Sequence, residues 1–107
     1  MQPERRGFPR RTTPLQGAWH GASGGSDCRI VDISWSGCFV QTLAQPGIGE
    51  QTLVTVPTIE GPTVIRGAVA YVEPGMGFSV QFEKIKRTQY GALHLLLGEP
   101  GPGDVED

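Results

Sequence analysis

The sequence predicts a mainly β protein, a six-stranded antiparallel β-barrel closed by one C-terminal α-helix. Three observations carry that expectation. Short runs rich in β-branched and aromatic residues recur along the chain, separated by turns built on Gly and Pro. In one of them Met76, Phe78, Val80 and Phe82 alternate strictly with Gly77, Ser79, Gln81 and Glu83, the mark of a strand with one buried face. The period then becomes helical, with Tyr90, Leu93 and Leu97 at i, i+3 and i+7 and Leu96 beside them. At 107 residues the chain suits one small domain with one modest core.

Residues 1–13 read as a flexible basic arm, because Gly7 and Pro9 break a helix and Phe8, preceding proline, is pushed towards extended geometry. Residues 14–19 make a weak strand that Gly17 interrupts, and the Gly/Ser-rich residues 21–26 read as a loop. Residues 28–33 form a strand with Cys28, Ile30 and Asp32 on one face and Arg29, Val31 and Ile33 on the other. After a turn, residues 38–42 resume as a strand. Residues 53–56 are a short strand that Pro57 closes. Residues 63–72 are the longest strand, in which Gly67 marks a bulge or a sharp bend.

The helix that follows has Thr88 as its N-cap and Gly98 as its stop. Its apolar stripe is expected to cap an open end of the sheet, a dimer contact being the other use. Residues 98–107 read as a disordered acidic Gly/Pro tail. The barrel and helix therefore occupy residues 14–97.

The net charge of −2 argues against a general polyanion binder, but the charge is unevenly placed. Residues 1–13 carry four Arg against one Glu, whereas the last nine residues carry four acids and no base. That asymmetry points to a local anion site at the N-terminus and away from a nucleic-acid polymer surface. Neither a membrane-spanning apolar stretch nor a signal-peptide apolar region is present, so a cytoplasmic protein without membrane insertion is expected. Cys28 and Cys38 flank one turn and come near each other if that turn closes a hairpin; in a reducing compartment two free thiols are expected. No metal-ligand spacing, Ser-His-Asp order or phosphate-cradling loop is found. The expectation is a protein with no catalysis, no metal and no cofactor.

Two stretches remain that a barrel core does not need. The first is Arg5-Arg6-Gly7-Phe8-Pro9-Arg10-Arg11, within which Arg6 and Arg10 read R-x-x-x-R. In an extended chain these two point to one side about 13 Å apart, at about 3.3 Å per residue, and suit the two ends of a dinucleotide-sized anion. A solvated charged tail is the alternative. The second is Asp32-Ile33-Ser34-Trp35-Ser36-Gly37, which reads D-x-S-x-x-G. Asp32 and Ser34 project to the same side, and Gly37 permits a close backbone approach. An Asx turn, a turn hydroxyl and a hairpin glycine would account for the same three residues.

R-x-x-x-R followed by D-x-S-x-x-G resembles the signature of the PilZ domain, a family of bacterial receptors for cyclic di-GMP. Glu4-Arg5-Arg6 looks like the family's lead-in, and residues 75–82 look like its late G-x-G-x-x-F-like strand. The resemblance covers about residues 4–97. It implies a six-stranded barrel with a C-terminal helix and an arm that folds across one face to trap the ligand. Carried over by residue, Arg6 and Arg10 would bind phosphates and guanine edges, and Asp32 and Ser34 would contact the second guanine. Gly37 would supply backbone room. Arg5, Arg11 and Trp35 are further candidates, Trp35 for shielding or stacking on a base or else for packing the barrel.

The function expected is a single-domain cyclic di-GMP receptor that orders its arm on binding and so changes the surface offered to a downstream protein partner. One alternative keeps the fold as a ligand-independent protein-interaction adaptor. Another, a small barrel for single-stranded nucleic acid, is disfavoured by the negative net charge and by aromatics placed in apparent core positions.

Overall fold

The computed structural model describes residues 14–98 and the backbone of Val105 and Glu106. The basic arm and most of the tail lie outside the described residues. Six strands close an antiparallel barrel: β1 (Leu15–Gly21), β2 (Gly24–Ser34), β3 (Gly37–Gln41), β4 (Gln51–Thr58), β5 (Gly61–Glu73) and β6 (Gly77–Phe82). Their order around the barrel is β1-β2-β3-β6-β5-β4, and β4 pairs back onto β1. A short β7 (Ile85–Lys86) leads into α1 (Arg87–Leu97). Val105 and Glu106 form β8, paired in parallel with β7, so two residues of the segment expected to be disordered lie in a strand.

Alternation builds the barrel interior. Phe78 and Val80 of β6 are buried as the period predicts, and Trp19 of β1 meets Phe78 edge-to-face at 5.1 Å. Met76 leaves this pattern: it lies in the turn before β6 and is 58% exposed. Gly17 does not interrupt β1. A Cβ there would overlap the Thr55 carbonyl and the Ile30 side chain, so the strand needs glycine where it crosses its neighbours. Gly67 likewise marks no bulge, since it stays in register with Thr52 and Phe82 and leaves room for the backbone of Gln81.

Other expectations at the strand ends also change. The Gly/Ser-rich residues 21–26 are mostly strand, with Gly21 opposite Gly24 and only Ala22 and Ser23 turning. The carboxylate of Glu50 explains the order: it accepts the Ser23 N–H at 2.9 Å, the Ser23 hydroxyl at 2.8 Å and the Gly47 N–H at 3.2 Å. These bonds, those from Ser23 first, hold the Glu50 carboxyl below its ordinary range. Pro57 does not close β4 but faces Pro62 across the β4–β5 ladder. The described β1–β4 pairing ends at Ala18 and Thr55, so Pro57 lies past the point where a second ladder would need its missing N–H.

The helix closes one end of the barrel. Leu93 and Leu97 join the barrel core, with Tyr90 and Leu96 packed against it. The N-cap is Lys86 and not Thr88, which falls inside the first turn. The Lys86 N–H donates to the Gln89 side-chain oxygen at 3.2 Å, and the Gln89 amide donates to the Val64 carbonyl at 2.6 Å, tying the first turn to β5. Cys28 and Cys38 are buried and free. They are not cross-strand partners, because Arg29 pairs with Gln41 and Val31 with Phe39. Burial first, and then the charge of Asp27, pushes the Cys28 thiol up to about 11; burial first, and then the nearby Cys28, raises Cys38 further still, so the two thiols do come near enough to interact. Among the described residues no helix is long and apolar enough to cross a membrane.

Gly91 lies exposed within α1, with open space where a Cβ would stand. Gly91→Ala is expected to stabilise the fold by about 0.5–1 kcal/mol, and to raise the midpoint of thermal unfolding by roughly 2–8 °C. A midpoint unchanged or lowered would contradict this account of the helix.

Candidate functional site: a groove beside the Asp32–Gly37 corner

The corner is shaped by a bulge. The β2–β3 ladder runs from Arg29–Gln41 through Val31–Phe39, slips, and resumes at Ser34–Gly37. Asp32 and Ile33 thus oppose the single residue Cys38. Asp32 takes a left-handed backbone, φ 57°, which its short polar side chain tolerates better than most. Strict alternation would put Ile33 outside with Val31. With the extra residue, Ile30 and Ile33 are both fully buried, and Asp32 is carried to the barrel's outer side.

Trp35 and Ser36 turn the hairpin tip. Trp35 points into the fold: it is 1% exposed, its indole N–H donates to the Gly98 carbonyl at 2.8 Å, and its ring stacks on Tyr90 at 5.8 Å. Ser36 keeps the tip in place, because its carbonyl accepts the Phe82 N–H at 2.9 Å. The Ser34 hydroxyl is 3.0 Å from the Ser36 hydroxyl and accepts the Ser36 N–H at 3.3 Å.

Beside this corner lies a groove of about 610 Å³, within the size range of small-molecule sites. Asp32, Ser34 and Gly37 all line it, so the three fixed positions of D-x-S-x-x-G are brought together. Gly37 serves the barrel directly. A Cβ at this position would strike the Val80 carbonyl, so glycine is what lets β3 close on β6. The lining also includes Tyr71 and Glu73 of β5 and Ser79 of β6. The hydroxyl of Ser79 is buried with no hydrogen-bond partner among the described residues.

These groups favour one kind of chemistry. Among the described residues the charged side chains of the lining are Asp32 and Glu73, with neither Lys nor Arg. Carboxylates and hydroxyls accept from the N–H edge of a base, and an aromatic ring offers a face, but none of the described lining residues neutralises a phosphate. The chain enters the barrel close by: Leu15 pairs with Ile30, one strand over from Asp32 and two residues along, roughly 8 Å by strand spacing.

Of the residues singled out in the sequence, Asp32, Ser34 and Gly37 share the groove, and Trp35 packs under the helix instead of lining it. Arg5, Arg6, Arg10 and Arg11 lie outside the described residues. Tyr71 and Ser79 were not singled out. Ser79 falls on the polar face of a period-two strand, which signals only an outward side chain, and Tyr71 reads as one more strand aromatic. Among the described residues no cluster of three His, Cys, Asp or Glu side chains is placed to hold a metal ion.

Residues 4–99 match the family model of the PilZ domain. No curated protein matches the chain.

Gly37→Ala is expected to destabilise the protein by about 1–3 kcal/mol, because backbone has to give way to the new methyl group. Urea unfolding checks this. Stability equal to wild type would show that the β3–β6 approach is looser than described.

Proposed function

The chain belongs to the PilZ domain family, cyclic di-GMP receptors that bind ligands and partners and are not enzymes, and from that premise we propose that it binds cyclic di-GMP in the groove beside Asp32. The N-terminal arm closes over the bound dinucleotide. The observation that carries this reading is the convergence of Asp32, Ser34 and Gly37 on a groove whose described lining holds no cation, close to Leu15, the start of β1.

Each residue has a chemical part. Guanidinium groups of Arg6 and Arg10 donate paired hydrogen bonds to phosphate or to guanine O6 and N7, a geometry that lysine does not reproduce. Asp32 accepts from guanine N1–H and N2–H₂, and the Ser34 hydroxyl adds a bond at the same edge. Arg5 and Arg11 flank the pair as further phosphate contacts. Chain length permits the closure. At about 3.3–3.6 Å per residue, Arg10 reaches up to about 18 Å from Leu15 and Arg6 up to about 32 Å.

Closing the arm costs conformational entropy, which the ion pairs with phosphate offset. The free and bound states therefore offer different surfaces, and a downstream protein that prefers one of them reads the ligand's concentration. Two buried free thiols suit a cytoplasmic setting.

Arg6→Ala and Arg10→Ala are each expected to remove about 1.5–3 kcal/mol of binding, roughly a 10- to 150-fold weaker Kd, with thermal unfolding unchanged. Isothermal calorimetry with cyclic di-GMP, against GTP and cyclic di-AMP, measures it. Wild-type affinity in both variants would reject the arm as the clamp. No binding by the wild-type chain at tens of micromolar would favour the ligand-independent adaptor.

A further inference from the structure

We propose that Tyr71 is a recognition residue of this groove, its ring forming a wall on which a guanine base stacks, with the Ser79 hydroxyl beneath it bonded to the same ligand. The inference rests on the cyclic di-GMP reading and adds two residues that neither sequence motif contains.

The placement of the barrel's irregularities carries it. Of the six described barrel ladders, two slip: β2–β3 between Val31 and Ser34, and β5–β6 between Val69 and Tyr71. Both slips lie on the groove, since Asp32 and Ala70 both line it. In β5, Val69 pairs with Val80 and Tyr71 with Ser79, so Ala70 is the extra residue. Val69 is buried, and strict alternation would send Tyr71 inside the barrel with it. The bulge reverses this. Tyr71 is 49% exposed and lines the groove, and the next residue, Val72, packs against the core. Two strands on opposite sides of the β3–β6 pair thus each use one inserted residue to deliver a side chain to the same groove, a carboxylate from one and an aromatic ring from the other.

Ser79 is the second, independent observation. Its hydroxyl is one of two buried side-chain polar atoms without a partner among the described residues; the other is the Trp19 indole nitrogen. Trp19 belongs to the barrel core, whereas Ser79 lines the groove directly opposite Tyr71 in the ladder. Buried hydroxyls are ordinarily paired, and a ligand atom in the groove supplies what this one lacks. Asp32 reads a base by its edge. Tyr71 holds one by its face, at the small entropic cost of fixing a side chain with few rotatable bonds.

The test is a calorimetric titration of cyclic di-GMP into wild-type protein and the variants Y71A, Y71F, S79A and R10A. Proton NMR of the bound guanine H8 accompanies it, with thermal unfolding as a check that each variant folds. Y71A is expected to bind about 5- to 150-fold more weakly and Y71F within about twofold of wild type, because stacking needs the ring and not the hydroxyl. S79A is expected to lose about 2- to 10-fold. The H8 resonance shifts upfield in wild type and Y71F but not in Y71A. Wild-type affinity and an unmoved H8 shift in Y71A would overturn the stacking wall, while a weak R10A in the same series would leave the cyclic di-GMP reading standing. Equal losses in Y71F and Y71A would overturn stacking in favour of a hydroxyl contact, and a wild-type protein that binds no cyclic di-GMP would overturn both readings.

Discussion

Asp32 reconciles two demands that an unbroken strand would set against each other. Continued without a slip, β2 would face a carboxylate into the barrel and Ile33 into solvent. Burying an isoleucine contributes about 1.5–3 kcal/mol, and burying an unpaired carboxylate costs more than that. A left-handed backbone at an aspartate costs less than either error. The slip therefore holds, with φ 57° at Asp32 and Ile33 fully buried. Its effects extend past the corner. The same turn sends Trp35 inward to the Gly98 carbonyl at the end of α1, so the residue that opens the groove also sets the register by which the helix is anchored to the barrel.

On the cyclic di-GMP reading, charge divides the work of binding. A phosphate approaching the groove lining meets Asp32 and Glu73, and a like charge at 4 Å opposes it by about 1 kcal/mol in water and about 4 kcal/mol near a protein surface. The four arginines of residues 1–13 are the natural counterweight. On the cyclic di-GMP reading, the wall recognises bases and the arm neutralises phosphates, so neither half suffices. Ligand and arm then associate together, which is the coupling a receptor needs if binding is to alter a surface.

Much of the architecture could be read from the residues because it follows periodicity. The alternation at Phe78, Val80 and Phe82 and the stripe at Tyr90, Leu93 and Leu97 correspond to a strand and a helix as expected. D-x-S-x-x-G was legible as a candidate site because polar residues at that spacing have little use in a core, and its three fixed positions do share one groove. What periodicity hides is a single inserted residue. It flips every face downstream, so alternation carried past it misplaces Ile33 and Tyr71. Long-range partners hide too: Glu50 holds a Gly/Ser hairpin that composition assigns to a loop, and Gln89, not Thr88, organises the helix start. Met76 looked buried because the alternation extends by chance into the turn.

The central claim is that cyclic di-GMP occupies the groove at the Asp32–Gly37 corner under the arginines of the arm. The most direct measurement is a ¹H–¹⁵N NMR titration of the full chain with cyclic di-GMP, with backbone amides and arginine Nε–H groups assigned. The claim predicts perturbation of Asp32, Ser34, Gly37 and Ser79 together with the side chains of Arg6 and Arg10. Perturbation confined to the far end of β2, around Ser23, Gly24 and Glu50, with the corner and the arginines unmoved, would contradict it.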